Sequence, residues 1–386
     1  MVKKDKVRLG DVCTIVSGTT PKTGTKEYWD GELNWITPAE LSDDIDIIYK
    51  TERKITNKAV TDSSLKLLPV GTVLLSSRAP IGKVAIVGSP MYCNQGFKNL
   101  ICSNSIFNKF LYWFLKGKKD FLNSLGRGAT FKEISKSIVE DIQISLPSLS
   151  EQKRIAAILD KATEIITLRK QQIEKLDLLV KSRFIEMFGD PVQNEKGWPI
   201  VALEEIAAIR IGPFGSLLHK EDYIEGGHAL VNPSHIVEGK ICIDSRLTIS
   251  PEKYNELNAY HLEVDDIVLG RRGEMGRCAV IHSAGLLCGT GSMIIRPNKR
   301  MKPYFLQTIL SSPTYKKTIE DRAVGITMMN LNVPTVSALP IPLLPLDLQE
   351  NFIAILQQVD KTKSTLQQSL EKLELNYKAL MQTYFR

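Results

Sequence analysis

No stretch of 18 consecutive apolar residues occurs in this chain, and its opening, MVKKDKVRLGDV, has no apolar signal segment. A secreted or membrane-spanning protein is therefore not expected, and the cytoplasm is the expected compartment. The six cysteines contain no C-x-x-C pair, so neither a zinc knuckle nor a dithiol redox motif is indicated. Their simplest reading is as small apolar residues kept reduced. Five histidines form no H-E-x-x-H pattern, and no metal site is expected. The phosphate-cradling G-x-x-x-x-G-K-[ST] loop is absent; GTTPKTGTK has one residue too many between its glycines. GRRGEMGR is glycine-rich but is not a dinucleotide fingerprint, and no G-x-S-x-G elbow occurs. The Asn/Asp-Pro-Pro-Tyr tetrapeptide of amino-methyltransferases is also missing. Together these absences argue against catalysis in this polypeptide.

What is present is ordinary globular material. Of the 386 residues, 43% are apolar and 24% charged, enough for two or three domains with their own cores. The net charge of +7 is compatible with a polyanionic partner without demanding one.

The chain repeats itself. At an offset of 194 residues, VRLGDVCTIVSG (Val7–Gly18) falls on VALEEIAAIRIG (Val201–Gly212). At the same offset, LPVGTVLLSSRAPIGKVAIV falls on LEVDDIVLGRRGEMGRCAVI. This matches Arg78 with Arg272, Gly82 with Gly276 and Lys83 with Arg277. CNQG (Cys93–Gly96) then meets CGTG (Cys288–Gly291), Gly128 and Thr130 meet Gly325 and Thr327, and Gln152 meets Gln349. Chance similarity would not hold so steady an offset. The organisation is domain, long helix, domain, long helix: residues 1–146, 147–188, 189–343 and 344–386.

β-Branched runs such as VGTVLLSSR and KVAIVG predict strands. The spacing in NKFLYWFLKGKKDFLNSL predicts a helix, answered by YFLQTILSSPTYKKTIED. In the first long helix, Leu159, Ile166, Ile173, Val180 and Met187 recur every seven residues. Ser148 or Ser150 caps its start, and Gly189 and Pro191 stop it. In the second, Phe352, Val359, Leu366, Leu373 and Leu380 form one row. Leu356, Leu370, Tyr377 and Tyr384 form another, interrupted by Lys363, while Asp347 and Glu350 make a capping box. Each helix of about 38 residues spans roughly 57 Å. Chain logic makes the pair antiparallel, with the domains at opposite ends related by a pseudo-twofold axis. The expected fold class is α+β: two pseudo-symmetric domains of mixed structure separated by an antiparallel two-helix coiled coil. Such a spacer suits a partner with two separated contact points, and duplex DNA is one.

The segments SGTTPKT…YWDGELNWITPAEL, SRAPIGKVAI, NQGFKNL, LPSLSEQKRIAAILD, RFIEMFGDP, IGPFGSLLHKEDY and the whole of Leu344–Phe385 closely resemble specificity subunits of type I restriction–modification systems. The resemblance covers essentially the whole chain. It implies two target-recognition domains, each reading half of a bipartite DNA sequence, and two helices that set the unread gap. It implies partners: double-stranded DNA, methyltransferase subunits (two expected) and restriction subunits, with no membrane. S-adenosylmethionine, ATP and Mg belong to those partners, and this chain would hold no cofactor and catalyse nothing. An adaptor carrying two protein-binding domains is the rival class; it predicts no salt-sensitive DNA affinity. A fused methyltransferase is ruled out by the missing tetrapeptide.

The residues expected to face DNA follow from the matched positions. Arg78 and Arg272 leave a strand four residues before a glycine, and Lys83 and Arg277 follow that glycine. Gln95 and Thr290 occupy the matched loops, and Arg271 has only Ser77 as its counterpart. Lys22, Lys98, Arg127 and Thr130 complete the first set, and Ser216, His219, Lys220 and Thr327 the second. Arginine and lysine neutralise phosphates or read guanine, and a glutamine can pair with adenine. Each also has a plainer reading, as an intradomain ion pair or a loop residue satisfying backbone. Lys153, Arg154, Lys170, Lys361 and Lys363 on the long helices are candidates for docking a partner, against the plainer reading of a solvated helix face.

Overall fold

The computed structural model describes residues 6–42, 46–78, 80–128, 132–213, 217–273, 276–323 and 330–385. The chain divides into two compact units, residues 1–171 with 367–386, and residues 172–366. The division falls inside both long helices, so each unit holds one globular domain and one end of each helix.

In the first unit the strands are β1 (Lys6–Arg8), β2 (Cys13–Ser17), β3 (Trp29–Ile36), β4 (Ile47–Ile48), β5 (Lys54–Ile55), β6 (Val73–Leu75), β7 (Val84–Val87), β8 (Tyr92–Cys93), β9 (Lys98–Cys102) and β10 (Gln143–Ser145). Its helices are α1 (Leu9–Val12), α2 (Asn57–Asp62), α3 (Asn108–Lys116), α4 (Lys119–Leu125), α5 (Lys136–Asp141) and the start of α6 (Leu149–Phe188). The main sheet runs β2-β9-β6-β7-β4, with a second sheet β5-β3-β8 and a β1-β10 pair.

The second unit has strands β11 (Ile200–Ala202), β12 (Ala207–Ile211), β13 (Tyr223–Ile224), β14 (His228–Val231), β15 (Ile236–Val237), β16 (Lys240–Ile241), β17 (Thr248–Ile249), β18 (His261–Leu262), β19 (Ile267–Gly270), β20 (Cys278–Val280), β21 (Leu286–Cys288), β22 (Ser292–Pro297) and β23 (Pro340–Pro342). Its helices are α7 (Pro251–Glu256), α8 (Pro303–Ser311), α9 (Pro313–Arg322), α10 (Val333–Ser337) and the start of α11 (Leu346–Phe385). The main sheet is β12-β22-β19-β20, the second sheet β13-β17-β14-β21-β18, and β11 pairs with β23. Four strands of each main sheet thus correspond one to one. Each second sheet carries one parallel pair, β3 with β8 and β14 with β21.

The central strands are apolar runs because both their faces are covered. Alternate residues serve different cores. Val73, Leu75, Val84 and Ile86 join the core built on α3 and the long helices, while Leu74, Ala85 and Val87 join a second core with Ile36, Met91 and Phe97. The second unit divides the same way: Ile267, Leu269, Cys278 and Val280 to one side, Val268, Ala279 and Ile281 to the other. The helix expected across Asn108–Leu125 is two helices, because Gly117 ends α3; Pro313 imposes the same break between α8 and α9. Four cysteines are buried as expected, but Cys242 is exposed and Cys102 only half-buried.

Helices α6 and α11 each have 40 residues. In the first unit Ile155 and Leu159 share a core with Tyr377, Leu380, Tyr384 and Phe385. In the second, Val180, Phe184 and Phe188 meet Phe352 and Leu356. The start of each helix therefore packs with the end of the other, which makes the pair antiparallel. Lys170 pairs with Glu374 at 3.0 Å in the first unit, and Lys363 with Asp177 at 2.7 Å in the second. The lysine that interrupts the apolar row is thus held by the opposite helix. Ser148 caps α6 by accepting the Glu151 N–H at 3.3 Å. The expected box at Asp347 does not form in that way: α11 begins at Leu346, behind Pro345 and two residues before such a box would start it, which puts Asp347 inside the first turn. Gly189 ends α6 at φ +77°, the left-handed conformation that favours glycine.

The glutamines repeated near the start of each helix have a common task. Both are fully buried. Gln152 Oε1 accepts the Phe107 N–H at 2.7 Å, and its Nε2 donates to the carbonyls of Pro147 (2.8 Å) and Ser105 (3.0 Å). Gln349 repeats this with the Lys302 N–H (2.8 Å) and the carbonyls of Leu344 (2.8 Å) and Arg300 (3.2 Å). One amide ties the exit helix to the loop that opens α3 or α8. Gln152→Ala and Gln349→Ala should each cost about 2–4 kcal/mol in urea unfolding, because each orphans buried backbone groups. An unchanged unfolding midpoint would show that the clamp is not used.

Candidate nucleic-acid interface

Four loops converge at one end of each main sheet. In the first unit the loop after β2 is pinned by the Thr19 N–H on the Cys93 carbonyl (3.0 Å) and by Asn94 Nδ2 on Thr20 Oγ1 (2.9 Å). The loop after β6 is pinned by the Ser77 N–H on the Gly96 carbonyl (2.7 Å). The segment after α4 closes the group: the Ile134 N–H donates to the Ser77 carbonyl (3.0 Å), and the backbone of Glu133 pairs, strand-like, with the backbones of Arg78 and Arg127. The second unit repeats the plan. The Arg271 N–H donates to the Gly291 carbonyl (3.0 Å), the Leu331 N–H to the Arg271 carbonyl (3.1 Å), and the backbone of Arg272 pairs with that of Asn330.

The matched glycines explain part of the repeat. A Cβ on Gly18 would lie 1.8 Å from the Asn94 carbonyl oxygen, and one on Gly212 would lie 2.2 Å from that of Gly289. Only glycine lets these backbones pass so closely.

The structure groups Arg78, Gln95, Lys98 and Arg127 in the first unit and Arg271, Arg272 and Thr290 in the second. Gln95, Arg127 and Arg272 are exposed, whereas Arg78, Thr290 and Arg277 are half-buried. Lys22 is exposed further along the loop after β2, where its carbonyl accepts the Trp29 indole N–H. His219 is exposed, its backbone N–H held by Asp222. Thr130, Ser216 and Thr327, and the side chain of Lys220, lie outside the described residues.

Two of the expected cations are engaged within their own domain. Lys83 donates to the carbonyls of Leu41 (2.5 Å) and Pro38 (3.4 Å), closing the short helical turn at Pro38–Glu40. Lys98, 7% exposed, pairs with Glu133 at 2.9 Å and lies 3.4 Å from Ser77 Oγ. On the long helices Arg154 forks onto Glu151 with two 2.7 Å bonds, and Lys153 lies 6.0 Å over the Phe107 ring. Lys361 is exposed. Sequence reasoning passed over Glu133 and Asn330, although their numbers follow the same offset as Thr130 and Thr327. It also passed over Leu178, Leu179 and Leu375, which the seven-residue rows leave out and which are exposed.

The model of the type I restriction–modification DNA specificity domain matches residues 1–178 and again 195–375. The chain belongs to that family. The MjaIX specificity subunit of Methanocaldococcus jannaschii is 30% identical to it, over 98% of this chain and 89% of the relative. The MjaVIII specificity subunit of the same organism is 26% identical over 97% and 90%. Among solved structures, the S subunit of the M. genitalium type I restriction–modification system covers 99% of this chain and 96% of its own, with a TM-score of 0.61 at 18% identity. A chain from a structure of an assembling type I system covers 99% and 97%, with a TM-score of 0.65 at 20% identity. At those identities the likeness is one of fold. The chain is a specificity subunit with two DNA-specificity domains, and no described helix is long and apolar enough to cross a membrane.

In such a subunit Lys83 should act on the fold and not on the salt response. Lys83→Ala removes the clamp on Pro38 and Leu41, so it should lower stability by about 1 kcal/mol. It should leave the salt dependence of DNA binding unchanged. A salt slope reduced to the extent expected of a lost phosphate contact would contradict this placement.

Proposed function

We propose that each loop cluster reads one half of a bipartite duplex DNA sequence and that the α6–α11 pair sets the number of unread base pairs between the halves. The observation that carries this is the duplication of the loop cluster itself. The same hydrogen-bond register twice presents an arginine, Arg78 or Arg272, beside a loop of polar residues. Arginine in a DNA groove reads guanine edges or holds phosphate. In this reading the helix pair also docks methyltransferase subunits that bring S-adenosylmethionine and modify adenine. An ATP- and Mg-dependent restriction subunit supplies translocation and cleavage. Adjacent exposed Leu178 and Leu179, exposed Leu375, and exposed Lys153 and Lys361 are the helix residues this reading assigns to docking. Arg154, Lys170 and Lys363 are held in ion pairs and are weaker candidates.

Arg272→Ala should relax or weaken only one half of the methylated motif and Arg78→Ala only the other. Methylation mapping of cells expressing each variant with the methyltransferase reads this directly. Loss of a base contact costs about 1–3 kcal/mol and relaxes one position, whereas loss of a phosphate contact weakens all sequences alike. Equal effects on both halves would rule out independent readers.

Matched insertions of one heptad after Gln172 and after Gln368 should lengthen the unread gap while leaving both halves intact. Seven residues add about 10.5 Å of helix, close to three base-pair rises of about 3.4 Å. Three extra pairs also turn the far half-site by roughly 100°, so a matched insertion of four residues is the useful companion. A folded insertion variant that methylates with the original gap would eliminate the ruler.

A further inference from the structure

The two domains place a buried cation at one equivalent position by different means. Strand registers fix the equivalence: Ser17 faces Lys98 across β2–β9, and Ile211 faces Met293 across β12–β22. The backbone bonds already described make Ser77 equivalent to Arg271, and Glu133 to Asn330. In the first domain the cation is Lys98, sent from β9 to lie beside Ser77 and paired with the Glu133 carboxylate. In the second domain β22 carries the apolar Met293 instead, and the cation grows from Arg271. The carboxylate has gone, because Asn330 stands in its place.

Arg271 is only 6% exposed. Its Nε and the Asn330 Oδ1 are both buried without a hydrogen-bond partner. Burial lowers the guanidinium below its ordinary pKa, and the adjacent Arg272 pushes in the same direction. Among the described residues no carboxylate pairs with it. A buried cation without a counter-ion destabilises a fold. Yet this position keeps its positive charge while strand, residue type and counter-ion all differ, which singles out the charge itself as the feature in use.

We propose that Arg271 is an anion-binding residue whose counter-ion is a backbone phosphate of bound DNA, whereas Lys98 in the first domain carries its own counter-ion in Glu133. This rests on the reading that the loop clusters face DNA. It makes the second domain the more salt-sensitive of the two, and it sets Arg271 apart from Arg272, which is exposed and free to read bases.

The test uses the full chain and a duplex of arbitrary sequence, with affinity measured across a salt series. Arg271→Met should reduce the slope of log affinity against log salt by about one. It should also shrink the thermal stabilisation that inorganic phosphate gives the wild type over chloride at matched ionic strength. Asn330→Asp is the second variant, which leaves Arg271 in place and supplies the missing carboxylate. It should raise the melting temperature of the free protein and reduce the slope by a similar amount. If Arg271→Met and Asn330→Asp both keep the wild-type slope, the proposal is overturned and Arg271 is structural. If the wild type itself shows no salt dependence, the DNA reading beneath the proposal fails, and that result is distinct because every variant is then equally flat.

Discussion

The main core of each domain is finished by residues of the two long helices, and the rest of the structure depends on that closure. The sheet and short helices of the first unit leave an apolar face that Ile155, Leu159 and Phe385 cover, drawn from the start of one long helix and the end of the other. The second unit is closed by Phe184, Phe188 and Phe352 in the same manner. Aromatic burial of this kind is worth several kcal/mol per side chain, far more than the exposed middle of a two-helix pair can supply. Each helix end is therefore an integral part of the domain it closes. The buried glutamines Gln152 and Gln349 fix where each helix leaves its domain, since a displaced helix would orphan three hydrogen-bonding groups at once.

The duplication is faithful in backbone and loose in side chains. Sheet order, the loop cluster, the glycines of close approach and the glutamine clamp recur. Of the polar groups at the loop face, the arginine at Arg78 and Arg272 recurs and its neighbours do not. Lys98 with Glu133 in one domain becomes Met293 with Asn330 in the other, and Ser77 becomes Arg271. This division suits a protein that keeps one scaffold and changes what it reads. Phosphate geometry is the same at every step of DNA, so backbone register can be shared, whereas base edges differ and demand different side chains.

Lys83, matched by Arg277 in the repeat, and Lys98, matched by Met293, show how little a local pattern says about a basic residue's partner. Both stand where a phosphate contact is reasonable from spacing alone. The fold turns one onto backbone carbonyls at Pro38 and Leu41 and the other onto Glu133. The acceptors lie 42 and 35 residues away in the chain, and no local pattern connects them.

The sequence by itself determined the duplication, the α+β character, the span of both long helices and the family. Those features rest on short-range rules: a seven-residue apolar period, a glycine stop at Gly189, β-branched runs and a constant offset between repeats. Only the tertiary structure decided that Cys242 is exposed, that Gly117 and Pro313 split an expected helix in two, and that Lys363 in an apolar row is answered by Asp177. It also decided which arginine of the Arg271–Arg272 pair is buried. Neighbouring residues leave a strand end on opposite sides, and which side meets solvent depends on the turn bearing Gly291 and the segment bearing Asn330. Both arrive from elsewhere in the chain.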